Sequence, residues 1–487
     1  MGPDSRRLDE LAAGLPGLSG ADATPVSHLA ADSRAVRPGS LFAALPGQHA
    51  DGARFIADAV ARGAVAVLAP VGLAWPAGVP KRPVLAAADA RQALALLAAR
   101  LHPGQPGCVV AVTGTNGKTS TAEFFRQLAG PRGASLGTLG LVAEGFPAGP
   151  GLTTPDPVSL HATLAALAQA GISHLAMEAS SHGLEQRRLD GVRLAAAGFS
   201  NLSRDHLDYH GTLTAYRSAK LRLFDTLLPE GAAAVLNADM DGDTRAALRA
   251  IARRRHLRLT EVGEAGRALR LVSARPLPAG QALVLEVDGR RRELELPLPG
   301  RFQADNALLA AGLALAVGLE DVVARLASLH GVRGRMELAA QVAGAAIYVD
   351  YAHTPDALER LLAALRPHVA PGGQLHVVFG AGGDRDPGKR PLMGAAAAAG
   401  ADQAWITDDN PRHEDPAAIR AAILAACPGG RDAGPRERAI AAALEALRPG
   451  DVLAVAGKGH ESGQTVAGVT TPFDDAEVVR RLAGVPA

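Results

Sequence analysis

The chain has 487 residues, a formal net charge of +1 at pH 7, 48% hydrophobic residues and 20% charged residues. That length exceeds a single ordinary core and predicts several domains, and the near-neutral, interspersed charge excludes a basic nucleic-acid tail or a polybasic membrane anchor. Its two cysteines, Cys108 and Cys427, exclude a disulfide framework or a cysteine metal cluster and point to a reducing compartment.

Asp4, Asp9 and Glu10 interrupt the N-terminal apolar residues. No later apolar run reaches a membrane span free of charges and helix breakers, so a cytoplasmic protein without membrane insertion is expected. Apolar strands at 41–45 and 64–68 flank a helix at 55–62, which predicts a small α/β domain over residues 1–88 with polar loops Asp32-Ser-Arg34 and Gly47-Gln-His-Ala-Asp-Gly52. His49 alone reads more readily as a surface histidine than as a ligand contact. A helix over 89–101 opens on Asp89 as its N-cap.

An apolar strand at 108–113 then runs into Gly114-Thr-Asn-Gly-Lys-Thr-Ser120 and a helix through Phe124, Phe125 and Leu128. This is the form of a phosphate-binding loop: glycines let N–H groups turn toward an anion, a helix N-terminus follows, Lys118 adds charge and a hydroxyl can hold Mg²⁺. It is a shortened variant, because Val112 stands where the strict pattern has its first glycine. Strands at 172–176 and 194–199 end in Met177-Glu178 and Ser200-Asn201, the latter followed by Asp205-His206-Leu-Asp208-Tyr-His210. Ligands of parallel sheets sit at such carboxyl ends. The strand, helix, strand pattern is expected to recur to about 330, with an exposed strand at 291–298 and a helix opening at Pro299-Gly300-Arg-Phe-Gln-Ala-Asp-Asn306. Residues 89–332 make the second predicted domain and 333–487 the third. In the third, four strands each end in a polar cluster: Asp350-Tyr-Ala-His-Thr-Pro355, Gly380-Ala-Gly-Gly-Asp-Arg385, Asp408-Asp-Asn-Pro-Arg412 and Gly457-Lys-Gly-His-Glu461. That is the pattern of a Rossmann-like, doubly wound sheet.

Lysine and asparagine are rare, five of each against fifty basic residues in total. Lys118, Lys220, Lys389 and Lys458, with Asn116, Asn201, Asn306 and Asn410, fall in motif-like stretches, as though those positions require a compact ammonium or a carboxamide.

Gly114-Thr-Asn-Gly-Lys-Thr-Ser120 resembles the ATP loop of the Mur ligases and their relative folylpolyglutamate synthetase. The resemblance extends through Glu178-Ala-Ser-Ser-His-Gly183, Gln186-Arg-Arg188, Asn201-Leu-Ser-Arg-Asp-His-Leu-Asp-Tyr-His-Gly211 and Tyr216-Arg-Ser-Ala-Lys220 to Glu461. It implies an ATP-dependent ligase of peptidoglycan biosynthesis, a monomer, that phosphorylates a carboxylate and transfers the acyl group to an amine. ATP is implied to contact Gly114, Thr115, Asn116, Gly117, Lys118, Thr119, Ser120, Asn306, Arg335 and Asp350, though from residues alone Asn306 reads equally as an N-terminal helix residue. Lys118, Glu178, His206 and Lys220 are the implied catalytic set. Thr119, Glu178, His206 and Lys220 are the implied ligands of two Mg²⁺ ions, the last as a CO₂-derived carbamate.

The UDP-linked muramoyl dipeptide is implied to lie against Ala31, Ser33, Gln48, His49, Ala50, Thr153, Thr154, Ser180, Gln186 and Arg188. Leu152 departs from the asparagine common in relatives. Asp409-Asn-Pro-Arg412 is similar to the recognition motif of family members that add meso-diaminopimelate, and Arg385, Gly457 and Glu461 match further contacts. A guanidinium clasps a carboxylate with two parallel hydrogen bonds, and diaminopimelate differs from lysine by a second carboxylate. The alternatives are the same reaction with lysine, a sibling ligase, or, in another class, a P-loop phosphotransferase or nucleotide-binding regulator.

Overall fold

The structure is a computed structural model that describes residues 5–47, 51–147, 149, 151–277 and 279–485. The chain forms two compact units, residues 1–260 with 313–319, and residues 261–312 with 320–487.

The first unit opens with a five-stranded sheet in the order Leu18–Ser19, Val84–Ala87, Ala64–Pro70, Ser40–Ala43, His28–Ala30. All pairings are parallel except the first. Helix Ala90–Leu101 covers it. Asp89 accepts from the Gln92 N–H at 3.0 Å, a cap that contributes about 1 kcal/mol, and Ala90, Leu94, Leu97, Ala98 and Leu101, at helical spacing, pack on Leu41, Leu68 and Leu85.

Six neighbouring strands of a larger sheet follow in this unit, in the order Gly140–Val142, Gly133–Gly137, His174–Glu178, Cys108–Thr113, Ala196–Phe199, Ala233–Asn237. Only the Gly140–Val142 edge is antiparallel. Its strands are near-continuous apolar runs because both faces are covered, with Val109, Ala111, Leu175, Met177, Ala197 and Phe199 in the core. Register does the functional work: Glu178 lies opposite Val112 and Phe199 opposite Thr113. Glu178 and Ser200 therefore reach the carboxyl edge on either side of Gly114.

In the second unit the expected alternation of strands and helices gives way to an antiparallel meander, Leu269–Leu277, Gly280–Val287 and Arg290–Leu296. The first four residues of Arg290–Leu296 are exposed, so one sheet face is solvated as antiparallel sheets allow. Helix Arg301–Ala316 follows. The C-terminal sheet runs Glu337–Val342, Ala345–Asp350, Val452–Ala456, Leu375–Phe379, Gln403–Thr407, Arg431–Gly434. All four strands drawn from the sequence are present and parallel. Two edges were not read: Glu337–Val342, antiparallel, and Arg431–Gly434, too polar and short to register as an apolar run. A hairpin, Gly463–Val466 with Val469–Pro472, completes the unit.

Candidate active site

The loop after Cys108–Thr113 is shaped by two glycines. Gly114 has φ +145°, and a Cβ there would stand 2.0 Å from Ser200 Oγ; Gly117, at φ +85°, is the N-cap of helix Lys118–Ala129. No other residue adopts these conformations without strain. The loop is braced from the next strand. Asn201 accepts from the Thr115 N–H at 2.9 Å through its carbonyl and from the Asn116 N–H at 3.0 Å through Oδ1, while Ser200 Oγ donates to Asn116 O at 2.6 Å. Thr115 Oγ1 donates to Ser203 O and accepts from Ser203 N.

Lys118 Nζ folds back on its own loop, donating to the Gly114 and Thr115 carbonyls at 2.9 Å each. Lys220 Nζ, 1% exposed, donates to the same Gly114 oxygen at 2.7 Å. It comes from helix Leu213–Arg222 and lies 4.5 Å from the centroid of the Tyr216 ring. Burial, then the neighbouring Lys118 charge, pull the Lys220 amine down to about 6, with Asp205 opposing.

Glu178 ends its strand 2% exposed. Its Oε1 accepts from Thr119 Oγ1 at 3.0 Å and from the Thr138 N–H at 2.8 Å, and its Oε2 from Thr138 Oγ1 at 3.3 Å. Gly137 makes room, since a Cβ there would be 2.1 Å from Glu178 Oε1. Thr119 and Glu178 together offer the hard oxygen donors that Mg²⁺ takes, in the small number usual for an ion that keeps waters and substrate phosphates as its other ligands. Among the described residues no three His, Cys, Asp or Glu side chains converge as a metal cage.

His206 takes a left-handed backbone, φ +49°, and is the N-cap residue of Leu207–His210. Its half-exposed side chain is 3.6 Å from Asp205. Its ring lies edge-on to His182, centroids 5.0 Å apart, and 6.1 Å from Tyr216, the ring beside Lys220. His210 packs on His182 and Tyr216 with its Nε2 buried and unpartnered. Burial, then His206 and His210, lower the His182 pKa.

Behind Glu178 sits the set matched to the UDP-linked substrate. Thr154 Oγ1 donates to Glu178 O at 2.9 Å and lies 3.0 Å from Ser180 Oγ, and Thr153 Oγ1 is 3.1 Å from Thr138 Oγ1. Arg188 spans Thr154 O at 2.7 Å and Gln186 Oε1 at 2.8 Å. After strand His28–Ala30, Ala31 is exposed and Ser33, in the short turn Ser33–Ala35, is buried; Gln48, His49 and Ala50 lie outside the described residues.

In the second unit Asp350 accepts from the Met336 and Ala352 N–H groups at 2.8 Å each; burial pushes its carboxyl up, against Arg335 and those bonds. The Arg335 guanidinium lies 4.9 Å from the Tyr351 ring centroid with Nε buried and unpartnered. Asn306 is 5% exposed, and its Nδ2 donates to Gln303 Oε1 at 3.0 Å.

The polar ends of the C-terminal strands converge. Arg412, at φ +54°, donates its N–H to Thr465 O at 3.0 Å and Nη1 to Gly383 O at 2.7 Å. Asn410 Nδ2 donates to Glu461 Oε2 at 3.0 Å, its Oδ1 accepts from the Thr465 N–H at 3.0 Å, and the fully buried Lys458 Nζ reaches both side chains, at 3.3 and 3.4 Å. Gln464 donates to Asp409 O at 2.7 Å, Pro411 is buried, and Arg385 is exposed. Gly457, at φ +120°, brings its backbone against Asp409, whose carboxyl carbon would be 3.8 Å from a Cβ there.

Three stretches match Mur ligase domains: residues 25–101 the Mur ligase family catalytic domain, 112–314 the Mur ligase middle domain, and 334–459 the Mur ligase, glutamate ligase domain. The protein named UDP-N-acetylmuramoyl-L-alanyl-D-glutamate–2,6-diaminopimelate ligase in Caulobacter vibrioides is 55% identical over 95% of this chain and 96% of its own. The chain belongs to the Mur ligase family. The ligase of the same name in Bradyrhizobium diazoefficiens is 52% identical over 94% of both. A solved structure of a ligase of that name superposes with a TM-score of 0.72 at 33% identity over 99% of both chains. Folylpolyglutamate synthase of Mycobacterium tuberculosis, solved with ADP and AMPPCP, shares the fold, with a TM-score of 0.59 at 20% identity over 81% of this chain and 95% of its own.

This Mur ligase therefore has the three-domain α/β architecture expected from its motifs. Several residues that hold its site escaped sequence reasoning. Thr138 and Gly137 lie in a stretch with no motif, and hairpin residues Gln464 and Thr465 follow the last recognised cluster. Lys458 and Asn201, like Tyr216 and His210, stand inside quoted stretches without an assigned role.

Proposed function

We propose that the chain joins meso-2,6-diaminopimelate to the D-glutamate of UDP-N-acetylmuramoyl-L-alanyl-D-glutamate, with ATP going to ADP and phosphate. The observation that carries this is 55% identity across 95% of the chain with a ligase of that name. The substrate carboxylate attacks the γ-phosphorus of ATP, giving an acyl phosphate and ADP. The amine then attacks the acyl carbon, phosphate leaves with the C–O bonding pair, and the amine loses a proton as the amide forms.

The loop N–H groups of residues 114–120, the helix that follows and Lys118 hold the phosphates. Lys118 exchanges its bonds to Gly114 and Thr115 for phosphate oxygens. Thr119 and Glu178 would hold Mg²⁺, which would supply charge neutralisation at the transferring phosphoryl group. Lys220, neutral above about 6, can add CO₂ as a carbamate whose oxygens, with His206, would hold a second Mg²⁺. Asn306 is assigned to the adenine, and Arg335 and Asp350 to other parts of ATP.

Thr153, Thr154, Ser180, Gln186 and Arg188 hold the acyl substrate, with Ala31, Ser33, Gln48, His49 and Ala50 assigned to its UDP end. Arg412, seconded by Arg385, receives the distal carboxylate of diaminopimelate, and Glu461, beside Gly457 and the 409–411 loop, an ammonium. We assign the chain to the cytoplasm, in keeping with these soluble substrates. Phosphate release by purified protein with ATP, the UDP-dipeptide and single amino acids tests the reading. Release should require diaminopimelate and be weak with lysine; release without any amino acid would indicate a phosphotransferase or regulator instead.

A further inference from the structure

The geometry points to Gln303 as a positioning residue that fixes which way round the Asn306 carboxamide faces, and so makes the purine site select a 6-amino over a 6-oxo base. This rests on the assignment of Asn306 to the adenine. Gln303 is 1% exposed and one turn before Asn306 on helix Arg301–Ala316. Its Nε2 donates to the backbone carbonyl of Arg335 at 3.3 Å, and its Oε1 accepts from Asn306 Nδ2 at 3.0 Å.

A carboxamide can ordinarily be turned over, because its oxygen and nitrogen ends are nearly the same shape. Here the chain of bonds begins at an atom with one possible role. A carbonyl oxygen only accepts, so the Gln303 nitrogen must face Arg335; its oxygen must then face Asn306, and the Asn306 nitrogen must face Gln303. The Asn306 oxygen is left pointing the other way, with one Nδ2 proton beside it. That acceptor and donor pair complements the N6 amine and N7 of adenine.

A purine with O6 would set oxygen against oxygen. Turning Asn306 over to accommodate it would oppose two oxygens at Gln303, and turning both would oppose two oxygens at Arg335. The mismatch is thus passed to a backbone atom that cannot adapt, which is how a buried hydrogen-bonding site rejects an analogue. Both ends of the relay are held. The Gln303 N–H donates to Gly300 O at 2.9 Å, and the Gly300 N–H donates to His368 Nε2 at 2.8 Å.

The test compares ATP with inosine triphosphate in the full three-substrate reaction. The wild-type protein should prefer ATP. Gln303→Met, apolar and of similar length, releases Asn306 to turn over, and the ratio of kcat/KM values should fall about tenfold or more, the scale of one unpaired buried hydrogen-bonding group. The change should lie in nucleotide KM, with KM for the other two substrates unmoved. Gln303→Ala is the second variant should the first fold poorly, and relative affinity for ADP and IDP by calorimetry reads the same preference without turnover. A ratio that stays at the wild-type value in the folded variants, or equal losses with both nucleotides, overturns the relay. Asn306→Ala separates the two claims. If it abolishes the preference while the Gln303 variants keep it, the relay alone is wrong; if it leaves the preference intact, the assignment of Asn306 to adenine falls.

Discussion

Lys118 and Lys220 donate to one carbonyl oxygen, that of Gly114, at 2.9 and 2.7 Å. Burial first, and then the Lys118 charge at the same acceptor, favour the neutral form of the Lys220 amine. Its folded value of about 6 lies far below the ordinary 10.5, so between those values the unfolded chain binds a proton that the folded chain does not. Its contribution to stability therefore rises with pH through that window and is least favourable at the acid end. Lys220→Met should remove this slope, raising the melting temperature relative to wild type at pH 6.5 to 7 while ligase activity falls to background. Intact mass in bicarbonate should show one added CO₂ that Lys220→Arg lacks. Arg412 is the residue proposed to receive the distal carboxylate. Arg412→Lys keeps the charge but loses the paired donors, and should raise KM for diaminopimelate roughly ten- to a hundredfold, the range for one lost charged hydrogen-bond pair, with KM for the UDP-dipeptide unchanged. Both residues were singled out in the sequence, Lys220 by its scarce residue type and the stretch Tyr216-Arg-Ser-Ala-Lys220, Arg412 by Asp409-Asn-Pro-Arg412; their roles came from the family resemblance, since the residues alone read equally as a solvated helix lysine and a surface arginine in a proline turn. The left-handed backbone of Arg412 and its bond to Thr465 were not legible, because the hairpin that makes them lies beyond any local pattern.

Elements with both faces buried were read well, because continuous apolar runs such as 108–113, 375–379 and 452–456 admit few other placements. Of the meander at 269–296 only the exposed last strand was, since alternating charged and apolar residues report a half-solvated strand and not its partners. Beyond its own strand ladders, the meander is tied to Gly300 by a histidine from a short turn, Arg366–His368. Nδ1 donates to Leu277 O at 2.6 Å and Nε2 accepts from the Gly300 N–H at 2.8 Å, so the ring is neutral and fixed in one tautomer. Burial lowers the His368 pKa below its ordinary 6.5. As pH falls through 6.5 the unfolded chain gains a proton that the folded chain resists, so the stability contributed by His368 is present above 6.5 and is lost on further acidification. His368→Ala should therefore lower the urea midpoint clearly at pH 7.5, with the gap to wild type narrowing by pH 5.5. An equal gap at both pH values would mean that the ring acts by packing alone.

For the whole molecule, the division by contacts differs from the division by family. The middle-domain match spans 112–314, yet residues 261–312 belong to the compact unit that contains the C-terminal sheet. The physical cause is local. His368 grips Leu277 and Gly300, Gln303 donates to Arg335 O, and Gln281, 3% exposed, donates to Leu298 O and Gly300 O at 2.8 Å each, so the meander and the start of helix Arg301–Ala316 are tied by buried polar bonds to residues 335–368. Buried bonds of this kind are costly to leave unmade, and segments that share them open together. Native-state hydrogen exchange should accordingly place the protected amides of 269–287 in the same cooperative opening as those of 345–379, at a free energy distinct from that of the P-loop strand Cys108–Thr113 and its neighbours. His368→Ala should lower the opening energy of the first group and leave the second unchanged, and Lys220→Met should do the reverse, shifting only the P-loop group. If the meander instead opens with the P-loop strands and is indifferent to His368→Ala, the polar ties do not define the unit and the family boundary is also the physical one.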